Sequence, residues 1–99
     1  MSGLLNHTNK EEAVHRFYTA ILSIENKEQC KKFFEDIFTK NEIHSFAQRL
    51  EVARLLQVGE TYQKIEKLTG ASTATISRVK RVLSEGQGGL KEILTNKET

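Results

Sequence analysis

The chain has no proline, a single cysteine and no long apolar run, and each absence narrows what it can be. One thiol, Cys30, excludes an internal disulfide and makes a reducing cytoplasm the default compartment. No stretch approaches the roughly 20 apolar residues that a membrane-spanning helix needs, so no membrane partner is expected. The opening residues, MSGLLNHTNKEE, hold two leucines where a secretory signal needs a longer apolar core, and no signal peptide is expected there. Long apolar alternation is missing too, which leaves strands without support. His7, His15 and His44 lack the close spacing of zinc ligands, and Cys30 has no second cysteine to help it. No nucleophile, base and oxyanion-donor set is recognisable, so neither an enzyme nor a bound cofactor is expected. The glycines at 86, 88 and 89 follow no strand and do not form a phosphate loop.

What is present is helical periodicity across 99 residues, enough for one small domain, 1–99, with a polar tail at 95–99. Val14, Phe17, Tyr18, Ile21 and Leu22 form one stripe, opened by a capping box from Thr8 to Glu11. Cys30, Phe33, Phe34, Ile37 and Phe38 form a second, preceded by Asn26 and Gln29 at the same spacing. Cys30 lies on that apolar face and is expected to be a buried, inert thiol. Thr39 and Glu42 open a third helix with Ile43, Phe46, Ala47, Leu50, Ala53 and Leu56 inward, and Gly59 stops it. Short helices follow around Tyr62, Ile65 and Leu68, and around Ile76, Val79 and Leu83. The stretch EGQGG at 85–89 is a break, and a last helix carries Leu90, Ile93 and Leu94. The expected class is all-α, with about six helices. Five phenylalanines on short helices exceed what so small a chain readily buries, which favours a homodimer over a compact monomer.

Charge is unevenly placed. Residues 1–60 carry eight Lys and Arg against nine acidic residues; residues 61–83 carry five against Glu66 alone. A basic segment on a weakly acidic body points to a polyanion. Within it, TGASTATISRVKR has the layout of a helix-turn-helix: Tyr62–Leu68, a turn at Thr69-Gly70-Ala71, then a second helix capped by Ser72 or Thr73. Ile65, Ala71, Ile76 and Val79 occupy the positions where the two helices pack. Ser72, Thr73, Ala74, Thr75 and Ser77 are small enough for close approach to bases. Their hydroxyls and methyls can also read base edges. Lys80 and Arg81 are placed for phosphates, and Gln63 and Lys64 on the first helix complete the expected DNA-contacting set. Glu66 fits poorly, because the fifth position of such a motif often holds a small residue. The pattern therefore predicts a sequence-specific binder of double-stranded DNA. The competing reading is a helical module docking on an acidic protein partner.

The run from Phe38 to Leu83, with FTKNE, QRLEVARLL and GASTATISR as its most diagnostic parts, resembles the Trp repressor family, especially its YerC/YecD branch. The resemblance implies an intertwined all-helical homodimer with two reading heads. The expected function is that of a transcriptional regulator, a repressor, and two heads in a dimer would meet a palindromic operator. It also implies that Glu66 sits outward. In the tryptophan-responsive member two arginines flank the indole, and Arg49 and Arg78 match them; Thr39 and Thr75 match two pocket threonines. Val79 and Val82 stand where that form has glycine and serine, and Asp36 replaces an aliphatic residue. Overfilling a packed slot typically costs ~1–3 kcal/mol, and a desolvated Asp36 costs more unless paired, with Arg49 as the candidate partner. The pocket is therefore expected in a filled form, without tryptophan, and any other small-molecule effector is left unnamed.

Overall fold

The computed structural model describes residues 9–95 as six helices: α1 (Lys10–Leu22), α2 (Lys27–Ile37), α3 (Lys40–Gln57), α4 (Tyr62–Thr69), α5 (Thr73–Glu85) and α6 (Gly89–Thr95). Among the described residues there is no strand, and no helix is long and apolar enough to cross a membrane. The chain divides into two compact units at the junction of Thr39 and Lys40.

In the first unit, the N-cap of α1 lies one residue later than expected. Asn9 is the N-cap, its Oδ1 accepting the N–H groups of Glu11 at 2.8 Å and Glu12 at 3.3 Å. Asparagine is among the strongest caps, which is why it takes the role from Thr8; Thr8 itself lies outside the described residues. Asn26 caps α2 as its spacing indicated, accepting the Gln29 N–H at 2.8 Å. Gln29 Oε1 reaches back to the Glu25 N–H, one residue before the cap, at 2.7 Å. The rings of Phe17 and Phe33 join the two helices with centroids 6.4 Å apart, and Phe34 stacks on Phe38 at 5.3 Å. No residue of α1 or α2 is fully buried in this single chain. Cys30 is accordingly half-buried, not buried, since its neighbours Phe33 and Phe34 are themselves only half covered. Asp36 is exposed, so the desolvation cost expected for it does not arise in the chain.

The second unit holds the core: Val52, Ala53, Leu55, Ile65, Ala71, Ile76 and Val79, with Leu56, Tyr62, Leu83, Leu90 and Leu94 packed around it. Helix α3 packs against α4 and α5, and α6 closes on α5. Burying Ile65 and Ile76 completely is worth ~1.5–3 kcal/mol each. The inward face of α3 differs from the expected one. Phe46 and Leu50 are each 46% exposed, Ala47 is exposed and Ile43 is half-buried. The buried residues are Val52, Ala53 and Leu55. On a helix, positions 52 and 55 lie opposite 43, 46 and 50, so α3 has two apolar sides, and the one with Val52 and Leu55 joins the core shared with α4 and α5.

Backbone geometry sets the ends of α3 and α4. Gly59 has φ +89°, and the Gly59 and Glu60 N–H groups return to the carbonyls of Leu56 and Leu55 at 3.1 and 3.0 Å. This is a Schellman closure, which needs a left-handed residue. The break after α5 is shorter than EGQGG, because Glu85 ends one helix and Gly89 begins the next.

Candidate nucleic-acid interface

Helices α4 and α5 build the site, and three local features fix them. Thr61 caps α4 by accepting the Lys64 N–H at 3.1 Å, and Ser72 caps α5 by accepting the Thr75 N–H at 3.1 Å. Gly70, at φ +75°, turns the chain between them, a conformation that costs other residues roughly 1–2 kcal/mol. Beneath the turn Thr69 does triple duty. Its hydroxyl donates to the Ile65 carbonyl at 2.7 Å and accepts the Ala71 N–H at 3.1 Å, and its own carbonyl accepts from Gln48 Nε2 at 3.0 Å. The four residues expected to pack the two helices, Ile65, Ala71, Ile76 and Val79, are all buried.

The outer surface of the pair carries the expected DNA-contacting set. Ser72, Thr73, Ala74 and Ser77 are exposed at the N-terminal part of α5, while Thr75 is half-buried. Lys80 and Arg81 are exposed farther along α5, and Gln63 and Lys64 are exposed on α4. Ala74, Ser77, Arg78, Arg81 and Val82 line one shallow open groove. The two ion pairs among the described residues, Glu28–Lys32 and Glu51–Arg54, involve none of the five cations in residues 61–83. Those cations remain free to meet an external anion.

Two residues that organise this surface were missed by sequence reasoning. One is Gln48, whose partner lies 21 residues away, a separation no local pattern signals. The other is Glu66, flagged only as a poor fit to the motif and expected to sit outward. It is half-buried, and its carboxylate accepts a hydrogen bond from the hydroxyl of Thr73. A motif position that tolerates a charge gives no hint that the charge will find Thr73.

The residues matched to an effector pocket are placed as follows. Val79 is 5% exposed and belongs to the same core cluster as Val52 and Ala53. Thr75 Oγ1 accepts from Ser72 Oγ at 3.1 Å. The Arg49 guanidinium carbon lies 5.4 Å from the centre of the Phe46 ring, within cation–π range. Arg78 is exposed, Val82 is 43% exposed, and Thr39 is exposed in the first unit. His15 and His44 are exposed, and His7 lies outside the described residues.

Comparison with known proteins places this geometry. The sequence profile of the family described as "Trp repressor protein" matches residues 12–98. The YerC protein of Bacillus subtilis (strain 168), itself uncharacterized, is 55% identical over 85 residues, 85% of this chain and 82% of that one. The crystal structure of a TrpR-like protein from Eubacterium eligens ATCC 27750 superimposes with a TM-score of 0.83 at 44% identity, covering 88% of this chain and 93% of that one. A Trp-repressor candidate from Staphylococcus aureus gives a TM-score of 0.82 at 50% identity, covering 85% and 84%.

Proposed function

This chain belongs to the Trp repressor family, in its YerC-like branch, and from that premise we propose that it is a homodimeric, sequence-specific DNA-binding repressor that acts without tryptophan. The observation that carries the reading is the outer face of α5. Small exposed side chains at its N-terminal end are followed, one turn on, by unpaired Lys80 and Arg81. A helix so built can bring its backbone close to base edges while the cations hold phosphates. The exposed Phe46 and Leu50 on α3 support a second copy of the chain as the cover for that side. Independence from tryptophan is supported by Val79, whose side chain fills the core where the tryptophan-responsive form has glycine. In a dimer the two heads meet half-sites about one helical turn, roughly 34 Å, apart, so the operator is a palindrome.

Selection of bound sequences from a random DNA pool, followed by titration at several salt concentrations, tests this. The expected result is a palindromic site whose affinity falls linearly with salt on log–log axes, unchanged by added tryptophan. Absence of any selected DNA, together with salt-sensitive binding of an acidic protein, would establish the docking-module reading instead.

A further inference from the structure

The hydroxyls at the start of α5 are not equally available to DNA. Ser72 Oγ accepts the Thr75 N–H and donates to Thr75 Oγ1, so both of these side chains are engaged within the helix start. Thr73 is exposed, yet its hydroxyl donates to the carboxylate of Glu66, seven residues earlier on α4. Glu66 lines a shallow cleft with Lys64 and Lys67 but forms an ion pair with neither. Its contact is with the reading helix.

We propose, resting on the DNA-binding reading above, that Glu66 is a specificity-determining positioning residue that makes Thr73 a hydrogen-bond acceptor toward DNA. A hydroxyl has one proton and two lone pairs, and a carboxylate only accepts. With its proton held by Glu66, Thr73 presents to the groove lone pairs and a methyl group. Such a side chain accepts from the amino groups of adenine N6 or cytosine N4, and its methyl packs on the thymine methyl. It has no proton for guanine O6 and N7 or for thymine O4. A threonine side chain without that anchor rotates and serves either polarity. The carboxylate also repels nearby phosphates, so it lowers affinity for every sequence while sharpening the choice among them. Lys64 and Lys67, unpaired beside it, offset that repulsion.

The test uses the full chain and the position of the selected site whose preference changes in Thr73→Val. The wild type should favour a base presenting an amino group there. In Glu66→Ala, relative affinity for guanine or thymine at that position should rise roughly fivefold or more, the low end of a single-base-pair penalty. Overall affinity should rise at every sequence, because a negative charge is gone. Glu66→Gln keeps a side-chain carbonyl that accepts the Thr73 proton, so it should retain the wild-type preference while gaining the same overall affinity. In a Thr73→Val background, Glu66→Ala should raise overall affinity and leave preference alone. Should Glu66→Ala fail to fold by circular dichroism, Glu66→Met replaces it, similar in reach and without an oxygen acceptor. A preference unchanged by Glu66→Ala or Glu66→Met, or changed equally in the Thr73→Val background, overturns the inference and leaves DNA binding standing. A wild-type chain that selects no DNA overturns both.

Discussion

The side-chain amide of Gln48 donates to the main-chain carbonyl of Thr69 across 3.0 Å, joining the middle of α3 to the turn between α4 and α5. The acceptor is partly buried, and a carbonyl left there without a partner is costly. The turn that precedes α5 is thus held by a residue outside the motif.

Gln48→Leu keeps the side chain's bulk and removes the donor. It should lower unfolding stability by about 1 kcal/mol, the usual net worth of such a bond. Urea denaturation with an unchanged slope and a lower midpoint is the expected signature. A midpoint equal to the wild type would mean that water satisfies the Thr69 carbonyl equally well.

Ile76 and Ile93 separate core from surface. Ile76 is fully buried at the centre of the head, whereas Ile93 on α6 is 62% exposed. Ile76→Ala should cost about 2–5 kcal/mol through lost burial and the cavity it leaves. Ile93→Ala should stay within about 0.5 kcal/mol in the isolated chain. Comparable losses at both positions in denaturant melts would contradict the core described above.

Much of this head was readable from the sequence because local chemistry and tertiary structure agree there. Gly59 and Gly70 stand where left-handed backbone is required, Ser72 caps the helix it precedes, and Ile65, Ala71, Ile76 and Val79 recur at the spacing that packs a helix-turn-helix. The buried side of α3 was not readable. Its residues 43, 46 and 50 satisfy helical periodicity as well as 52 and 55 do, and only contact with α4 and α5 selects the second set. The polar ties of Gln48 and Glu66 were equally hidden, since neither follows a capping or turn rule. Register alone cannot tell an outward glutamate from one that anchors a threonine.

The unselected side of α3 leads to a prediction about assembly. Phe46 and Leu50 are half exposed in a single chain, and a second chain would cover them. The wild type should sediment as a dimer at micromolar concentration. Leu50→Glu should shift it to monomer while leaving helix content nearly intact, because Leu50 is absent from the buried core. A wild-type mass of one chain would remove the dimer from the proposed function.

The Glu51–Arg54 pair predicts a pH-dependent contribution. Arg54 donates through Nε at 3.2 Å and Nη2 at 2.5 Å to the two carboxylate oxygens of Glu51. That hydrogen bonding, aided by the charge of the guanidinium and opposed by slight burial, holds the Glu51 carboxyl below its ordinary range. A depressed pKa in the folded state gives stability that is present above the unfolded value, about 4.3, and lost as pH falls through the folded one. Both side chains are about half exposed, so the effect is small and salt-sensitive. The melting temperature of the wild type should exceed that of Glu51→Gln at pH 7 in low salt. The gap should narrow below pH of about 4, vanish in strong acid, and shrink in about 1 M salt. A gap independent of both pH and salt would assign the difference to something other than the ion pair.

Ser77 offers the most direct test of the proposed sequence reading. It is exposed on α5, one turn beyond Thr73, and its hydroxyl has no hydrogen-bond partner among the described residues. Positions 73, 74 and 77 share one side of the helix, opposite the buried Ile76 and Val79. On the proposed DNA-binding reading, a free hydroxyl beside a methyl and an anchored threonine would give short contacts, with no long side chain for bidentate recognition of guanine. On that reading, bridging water and DNA shape would then carry part of the readout. Ser77→Ala should therefore alter the preferred base at one pair in each half-site, at a cost of ~1–3 kcal/mol for the formerly favoured sequence. Lys80→Ala and Arg81→Ala should behave differently, weakening all sequences by a similar factor and flattening the log–log salt slope by about 0.9 each. Binding titrations against the selected site and its single-base variants separate the two patterns. If Ser77→Ala keeps the wild-type order of preference while Lys80→Ala or Arg81→Ala rearranges it, bases are read from the charged end of α5 and not from its small-residue end.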